Sequence, residues 1–342
     1  MAFNQLVEDH FHDPTTKIGK EVICLERVLN ETLDGRFSGK RVNLIDLGAG
    51  NGQKAVLVLE ALLRDDAQAV DYFPIDRNRY LSKYAIFKVI SSRRVQPTRR
   101  DIAALLCRPN EPELVEQVAT ENVSLDELVA MSCDTSDHLA PIELGGVTAP
   151  NQGLDVDFVR DAAATYRAVR ELGWYREGIT IHCLLGRTIG NYAAQARRRF
   201  LSDLQQEMSP GDLLLLDAGL RPEPDSDSEA VPRWIRQMEK DYLVGEHFMR
   251  FEADTEGSAF QVDYDRTSKK VRYGFKRPDG SIQKMGSSYL FHASELLDTL
   301  RESGLRILCS QTSAEHPPAM STTSPGSGCM TIVAEKPHEG SP

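Results

Sequence analysis

An α/β protein built on a mostly parallel sheet is what this sequence predicts, and three observations predict it. Short apolar runs (VNLI, DYFPI, ITIHCLL, DLLLL) recur along residues 41–220. Amphipathic stretches of helical period lie between them. A glycine-rich turn, Asp46 to Gly52, joins the first of these runs to the helix that follows. Continuous apolar strands alternating with amphipathic helices mark a parallel sheet covered on both faces.

The elements follow in order. EVICLERVLNETL carries apolar residues at helical spacing and stops before Gly35, so residues 1–40 read as an N-terminal helical cap. RVNLIDLGAGNGQKAVLVLEALLR is then strand, glycine turn and helix, and AVDYFPIDRN with YLSKYAIFKVISSRR repeats the pattern. DELVAMSCD predicts a short third strand, ITIHCLL a fourth before the helix AAQARRRFLSDLQQEM, and GDLLLLDAGL a fifth. The core therefore spans 41–220. At Arg221 the character changes. RPEPDSDSEAVP is proline-rich and acidic, WIRQMEKDYLVGEHF reads as a helix, and AFQVDYDRTSKKVRYGFKRPDGSIQKMGSS reads as hairpins with Asp279-Gly280 as a turn. Residues 221–285 are thus expected to form an inserted, smaller subdomain or lid. Residues 286–342 are expected to return to the core sheet through SELLDTLRESGLRILCSQTS and CMTIVAEK, with a polar loop between the last two strands.

Composition narrows the class. Forty Lys and Arg against 51 Asp and Glu leave a net charge of −11, and 41% of residues are apolar. That apolar share supports a folded core rather than disorder. An acidic chain is a poor electrostatic match for phosphate backbones, so no nucleic-acid partner is expected. No apolar run is long enough to span a bilayer, and MAFNQLVEDH lacks the features of a secretory leader. The expectation is a soluble, cytoplasmic enzyme with a small-molecule substrate and no membrane partner, self-association into a homodimer being left open. The six cysteines form no C-x-x-C pair, which argues against a zinc ribbon or a disulfide scaffold, and no metal is expected. Most read as small buried apolar residues.

Asp46-Leu-Gly48-Ala-Gly50-Asn51-Gly52 is the most specific signal. Glycines at such a turn let the backbone reverse tightly and approach a ligand. Dinucleotide enzymes need G-x-G-x-x-G, but here glycines stand at 48, 50 and 52 and position 53 is Gln, so that spacing fails. A turn with no ligand is the plain alternative. Asp76 ends the next strand, where a carboxylate can accept two ribose hydroxyls; an exposed loop aspartate is its alternative. Asp134, in MSCDTSD, reads either as an acceptor for an adenine amino group or as a turn cap. Gly186 to Asn191 follow the fourth strand, where the open cleft of such a sheet faces the reacting groups.

With its preceding acid, D-x-G-x-G-x-G resembles motif I of class I S-adenosylmethionine-dependent methyltransferases, which have a Rossmann-like fold. Across residues 41–220 and 280–335 the likeness becomes narrower. LIDLGAGNGQKAVLVLEAL, YFPIDRN, LLGRTIGNY, RFLSDLQQEMSPGDLLLLDAGL and MGSSYLF resemble the histidine-specific methyltransferases of ergothioneine biosynthesis. That resemblance implies S-adenosyl-L-methionine as cofactor, with Asp46, Gly48, Gly50, Gly52, Asp76, Asp134 and Gly186 around it. It implies a smaller domain closing on an amino-acid substrate, with Asn191 and Ser288 touching that substrate. The chain departs from the family pattern at the substrate positions. Gly286 stands where the family has a glutamate, HDPTTKIGKEV offers no counterpart to a PEYY-like segment, and PEPDSDSEAVPRW lacks the Tyr-Asp-Asp stretch. A site without those anchors is expected to take a less zwitterionic, flatter acceptor, such as a tryptophan-derived indole of secondary metabolism. Histidine N-alpha-methylation is the alternative within the class. An NAD-dependent oxidoreductase, a non-catalytic cofactor-binding protein and a protein methyltransferase are alternatives outside it.

Methyl transfer needs a neutral nucleophile, and a base with a suitable pKa assists it. VEDHFHD supplies Glu8, His10 and His12 as candidates, a solvated helix start being the alternative. Tyr166, Tyr192, Tyr289 and Phe291 could line an aromatic pocket or pack in the core. Arg187 could pair with a substrate carboxylate or with a nearby acid. His182 reads as a satisfied core histidine, and the arginines at 197–199 as a solvated helix face.

Overall fold

Eight strands make the central sheet of this computed structural model, which describes residues 11–14, 17–90, 92, 141–144, 147–150, 154, 157–160, 162–220, 259–265, 267–313 and 328–338. They are β1 (Arg41–Leu47), β2 (Ala69–Ile75), β3 (Pro141–Leu144), β4 (Val147–Pro150), β5 (Ile179–Leu184), β6 (Leu213–Gly219), β10 (Arg306–Thr312) and β11 (Cys329–Glu335). Their order is β10-β11-β6-β5-β1-β2-β4-β3. β4, β2, β1, β5 and β6 run parallel, whereas β11 is antiparallel to both β6 and β10. This is the expected mostly parallel α/β arrangement. The chain adds strands to one side of β1 and then crosses to β5 on the other. The crevice beyond the carboxyl ends of β1 and β5 is therefore the topological switch point, where open α/β sheets place ligands.

Alternation along the strands divides the core in two. Val42 and Leu44 of β1 face helices α1 (Lys17–Leu33), α2 (Gln53–Arg64) and α3 (Arg79–Ile90), packing with Leu25, Val28, Leu59 and Ala85. Ile45 and Leu47 face the opposite layer of α4 (Ala162–Arg170), α5 (Ala194–Glu207) and α6 (Ala293–Glu302), packing with Val169, Phe200, Leu204 and Leu300. Each fully buried apolar side chain contributes about 1.5–3 kcal/mol to such layers. Helix α1 begins four residues earlier than its apolar pattern predicts and stops before Gly35, whose φ is +68°. Cys24, Cys183 and Cys329 are free and buried, in keeping with apolar packing; Cys107 and Cys133 lie outside the described residues.

The expected third strand, DELVAMSCD, lies outside the described residues. The strand that pairs in parallel with β2 is Val147–Pro150, whose four residues end in proline and carry no run long enough to register as a strand. A separate antiparallel sheet comprises β7 (Ala259–Asp265), β8 (Lys270–Lys276) and β9 (Ile282–Tyr289). Its Asp279-Gly280 turn forms as predicted: Gly280 has a φ of +85°, and Arg277 N–H donates to the Ser281 carbonyl at 2.8 Å. Strand β9 continues to Tyr289, past the boundary expected at 285, and the following chain returns to the central sheet through a parallel bridge between Phe291 and Leu220. Among the described residues, no helix is long and apolar enough to cross a membrane.

Gly52 shows how closely the helices meet. A Cβ on it would lie 2.6 Å from Ala85 Cα in α3, and its φ of +72° is left-handed. Gly50 is also left-handed, at +53°, but a Cβ there would meet nothing nearer than 3.9 Å. Gly52→Ala is expected to cost about 2–4 kcal/mol, from backbone strain plus overpacking, and Gly50→Ala only about 1 kcal/mol. Urea denaturation of the two variants side by side checks the difference.

Candidate functional site

The strand–glycine–helix turn is built by backbone bonds across the carboxyl edge of the sheet. Gly48 N–H and Ala49 N–H both donate to the Ile75 carbonyl, at 2.7 and 3.2 Å, and so clamp the end of β1 onto the end of β2. Gly50 N–H donates to Asp76 Oδ2 at 3.1 Å and Asn78 N–H to Asp76 Oδ1 at 2.9 Å, which fixes the half-buried Asp76 carboxylate at the lip. At Gly48, with φ +78°, a Cβ would come within 2.9 Å of the Thr188 methyl. The two loops at the switch point therefore touch there, and any side chain at 48 would part them.

Asp46 sits one residue before the end of β1, facing the α1–α2–α3 layer, and is 3% exposed. The Tyr72 hydroxyl donates to its Oδ2 at 3.0 Å. Burial pushes the Asp46 carboxyl up to about 7; Tyr72 opposes the rise, while Asp76 and Asp217 add to it. Tyr72 is itself held protonated well above its usual range by burial and then by Asp46, so it remains a donor.

Beside Asp46 lies an ion cluster. Lys54 Nζ donates to Glu21 Oε2 at 2.6 Å and to Asp217 Oδ2 at 2.5 Å. Burial alone would lower the Lys54 ammonium, but Asp217 and Glu21 outweigh it and hold the group charged. Arg187 Nη2 pairs with Glu21 Oε1. The second Asp217 oxygen accepts Arg187 N–H at 2.5 Å, while Oδ2 accepts Gly186 N–H at 3.1 Å. Those bonds hold Arg187 at a left-handed φ of +62°, a conformation that costs a non-glycine residue about 1–3 kcal/mol. Glu21 and Asp217 thus engage Lys54 and Arg187, with the Asp46 and Asp76 carboxyls close beside them. The edge has room for positive charge.

The loop after β5 forms the far wall. Gly186 and Asn191 are exposed, and Asn191 ends a 3-10 turn, Thr188–Asn191. Ser288 comes against that turn: its Oγ would lie 2.5 Å from a Cβ on Gly190, so the structure brings Asn191 and Ser288 to one place. Tyr289 lies under two cations, Lys270 Nζ at 5.0 Å and Arg197 Cζ at 5.4 Å from its ring centre. Arg197 also lies 4.4 Å over Phe291 and donates to the Tyr192 carbonyl at 2.7 Å. The solvated arginine face therefore holds only for Arg198 and Arg199; Arg197 is buried because the two rings and a carbonyl replace water around it. Half-buried Tyr192 has its phenol pushed up by burial and then by Asp157, with a smaller contribution from Asp76.

Two candidates fall differently from their expected places. Tyr166 is buried on the opposite face of the sheet, its Oη 2.8 Å from His182 Nδ1, because alternation along β5 turns His182 toward α4 and α5. It is a core residue there and not part of this cleft. Arg187 takes the nearby acid, Glu21, rather than standing open to a substrate carboxylate. His12 is exposed, its ring edge-on to Phe11 at 5.2 Å. Glu8, His10 and Asp134 lie outside the described residues.

Sequence reasoning missed Glu21, Lys54 and Asp217. Each had a signal. Lys54 puts a cation in the first turn of a helix, against the dipole. Asp217 interrupts LLLLDAG inside an otherwise apolar strand, and Glu21 lies on the same helix face as Leu25 and Val28.

No family model matches the chain, and no curated protein matches it. Among solved structures, it aligns with an S-adenosylmethionine-dependent methyltransferase from Clostridium acetobutylicum ATCC 824 at 9% identity and a TM-score of 0.45, covering 99% of this chain and 100% of that one. It also aligns with the CcbJ methyltransferase from Streptomyces caelestis at 12% identity and a TM-score of 0.41, covering 96% of each chain.

Proposed function

We propose that this chain is an S-adenosylmethionine-dependent methyltransferase whose acceptor is a small amino-acid-derived molecule, aromatic and indole-like in preference to histidine. One observation carries the reading. The carboxylate surplus stands at the topological switch point, with Asp46 buried there and its proton only loosely held at neutral pH.

The residues fit that cofactor. Asp46 would accept the ammonium of its methionine part, and Asp76 its ribose hydroxyls, while Gly50 leaves the backbone bare for close approach. Asp134 is proposed for the adenine amino group. When bound, the cofactor supplies an electrophilic methyl group on a sulfonium, transferred by in-line displacement. The protein supplies alignment and dehydration. Asn191 and Ser288, converging from the core and from the end of β9, are the proposed substrate contacts, and Tyr289 is braced beside them. Residues 221–285 are proposed as the lid that closes on the acceptor. Glu8, His10 and His12 are the proposed source of a base.

Two features favour a less zwitterionic acceptor. The Arg187 guanidinium is engaged by Glu21, and Gly286, opposite Tyr273 in the β8–β9 register, supplies no carboxylate. Calorimetry with S-adenosylmethionine, S-adenosylhomocysteine and NAD tests the class: the first two should bind and NAD should not. Affinity for the cationic cofactor should rise with pH and level off above about 7, as Asp46 gives up its proton. Turnover against histidine, tryptophan and indole derivatives tests the acceptor. Efficient trimethylation of histidine would sink the substrate half alone; NAD binding without cofactor binding would sink both.

A further inference from the structure

A cavity of about 530 Å³ lies at the other end of the sheet. Its walls include Gly178, just before β5, and Asp212, just before β6, so it opens at the amino edge of the strands. From there it runs under the face of the sheet opposite the Asp46 cleft, as far as Ile45 and its β5 partner His182. Nothing in the proposed methyl transfer uses it.

Its chemistry is one-sided. Glu177, Glu207 and Asp212 line it against a single cation, Arg170. Arg170 is already committed to Glu207, donating to Oε2 at 3.0 Å and to the carbonyl at 2.8 Å. Asp212 is fixed in place by Thr180 N–H at 2.8 Å and Ser209 N–H at 2.7 Å. His182, 1% exposed, also lines the cavity, and its Nε2 has no hydrogen-bond partner. Asp212 Oδ2 is 3.8 Å from that nitrogen, too far for a hydrogen bond. A buried polar atom left unpaired is destabilising, and a ligand that pairs it recovers that loss. The Tyr166 oxygen lies 2.8 Å from Nδ1; if the ring proton is shared there, Nε2 is an acceptor beside a carboxylate, and the site below takes this tautomer. Two adjacent acceptors and an unbalanced negative wall call for a cationic donor.

We propose that this cavity is a second binding site, for a small organic ammonium ion whose N–H groups bond to His182 Nε2 and Asp212 Oδ2. Burial depresses the His182 imidazole despite Asp212, so the ring stays neutral and does not repel the cation. Half-buried Tyr175 offers a ring face to the ligand's apolar part.

Calorimetry with benzylamine, with benzyl alcohol and benzoate as uncharged and anionic controls, tests this on the full chain. Benzylamine should bind one to one and at least about tenfold more tightly than either control, with no change when S-adenosylhomocysteine is saturating. His182→Leu should weaken it about tenfold or more, and Glu177→Gln, at the exposed rim, about threefold. Should His182→Leu fail to fold, the ¹⁵N shift of the His182 ring in the wild-type chain decides, and it should move on titration. No saturable binding, equal binding of the alcohol, competition by S-adenosylhomocysteine, or an unmoved ring would each overturn the proposal.

Discussion

Asp46→Asn is expected to weaken S-adenosylmethionine binding at least a hundredfold and, above neutral pH, to make the protein more stable. The two effects share a cause. The buried carboxyl is raised from 3.8 to about 7. The folded chain therefore holds this proton more tightly than the unfolded chain. Its contribution to stability is full below pH 4 and is lost as pH rises through 7. At 1.36 kcal/mol per pH unit, the loss is on the order of 4 kcal/mol. Asparagine keeps the shape and can still accept from Tyr72, but it never ionises. Thermal melts at pH 5 and pH 8 should show the variant gaining more on the wild type at the higher pH. Calorimetry should show the wild type's pH-dependent affinity replaced by weak, flat binding. A variant that binds within tenfold of the wild type would show that Asp46 is not the anchor.

Lys54→Met is expected to destabilise the fold by about 3–5 kcal/mol, the cost of stripping the cation from a buried pair. Glu21 and Asp217 are 7% and 3% exposed at the side chain and share the one ammonium. Without it they face each other, with Arg187 and two backbone N–H groups among the groups that remain to balance them. Urea titration at pH 8 measures it. A loss below 1 kcal/mol at pH 8 would mean that water, not Lys54, balances these acids.

The strands and helices of the core were legible because their cause is local: apolar runs of period two between apolar stripes of period 3.6. Asp46, the three glycines and Asp76 were legible for the same reason, since a turn between strand and helix has few chemical solutions. β4 was not, because four residues held only at one register with β2 carry no pattern of their own. Helix α4 and the ion cluster were lost for a different reason. Glu21, Lys54, Arg187 and Asp217 come from four elements, and no spacing along the chain announces that they meet. For Tyr166 the sequence left pocket and core both open, and the alternation of β5, which turns its partner His182 to the far face, puts it in the core.

β11 lies between β6 and β10, and α1 packs over β10 and β11. During synthesis the open edge of β6, with every residue from Leu213 to Gly219 destined for burial, must wait more than a hundred residues for its neighbour. Over that interval α1 also lacks its docking surface, and Arg36 lacks Glu335, its ion-pair partner. The nascent chain thus carries an unpaired apolar strand until β11 has left the ribosome. At that stage, rather than in the finished molecule, this protein is most exposed to aggregation.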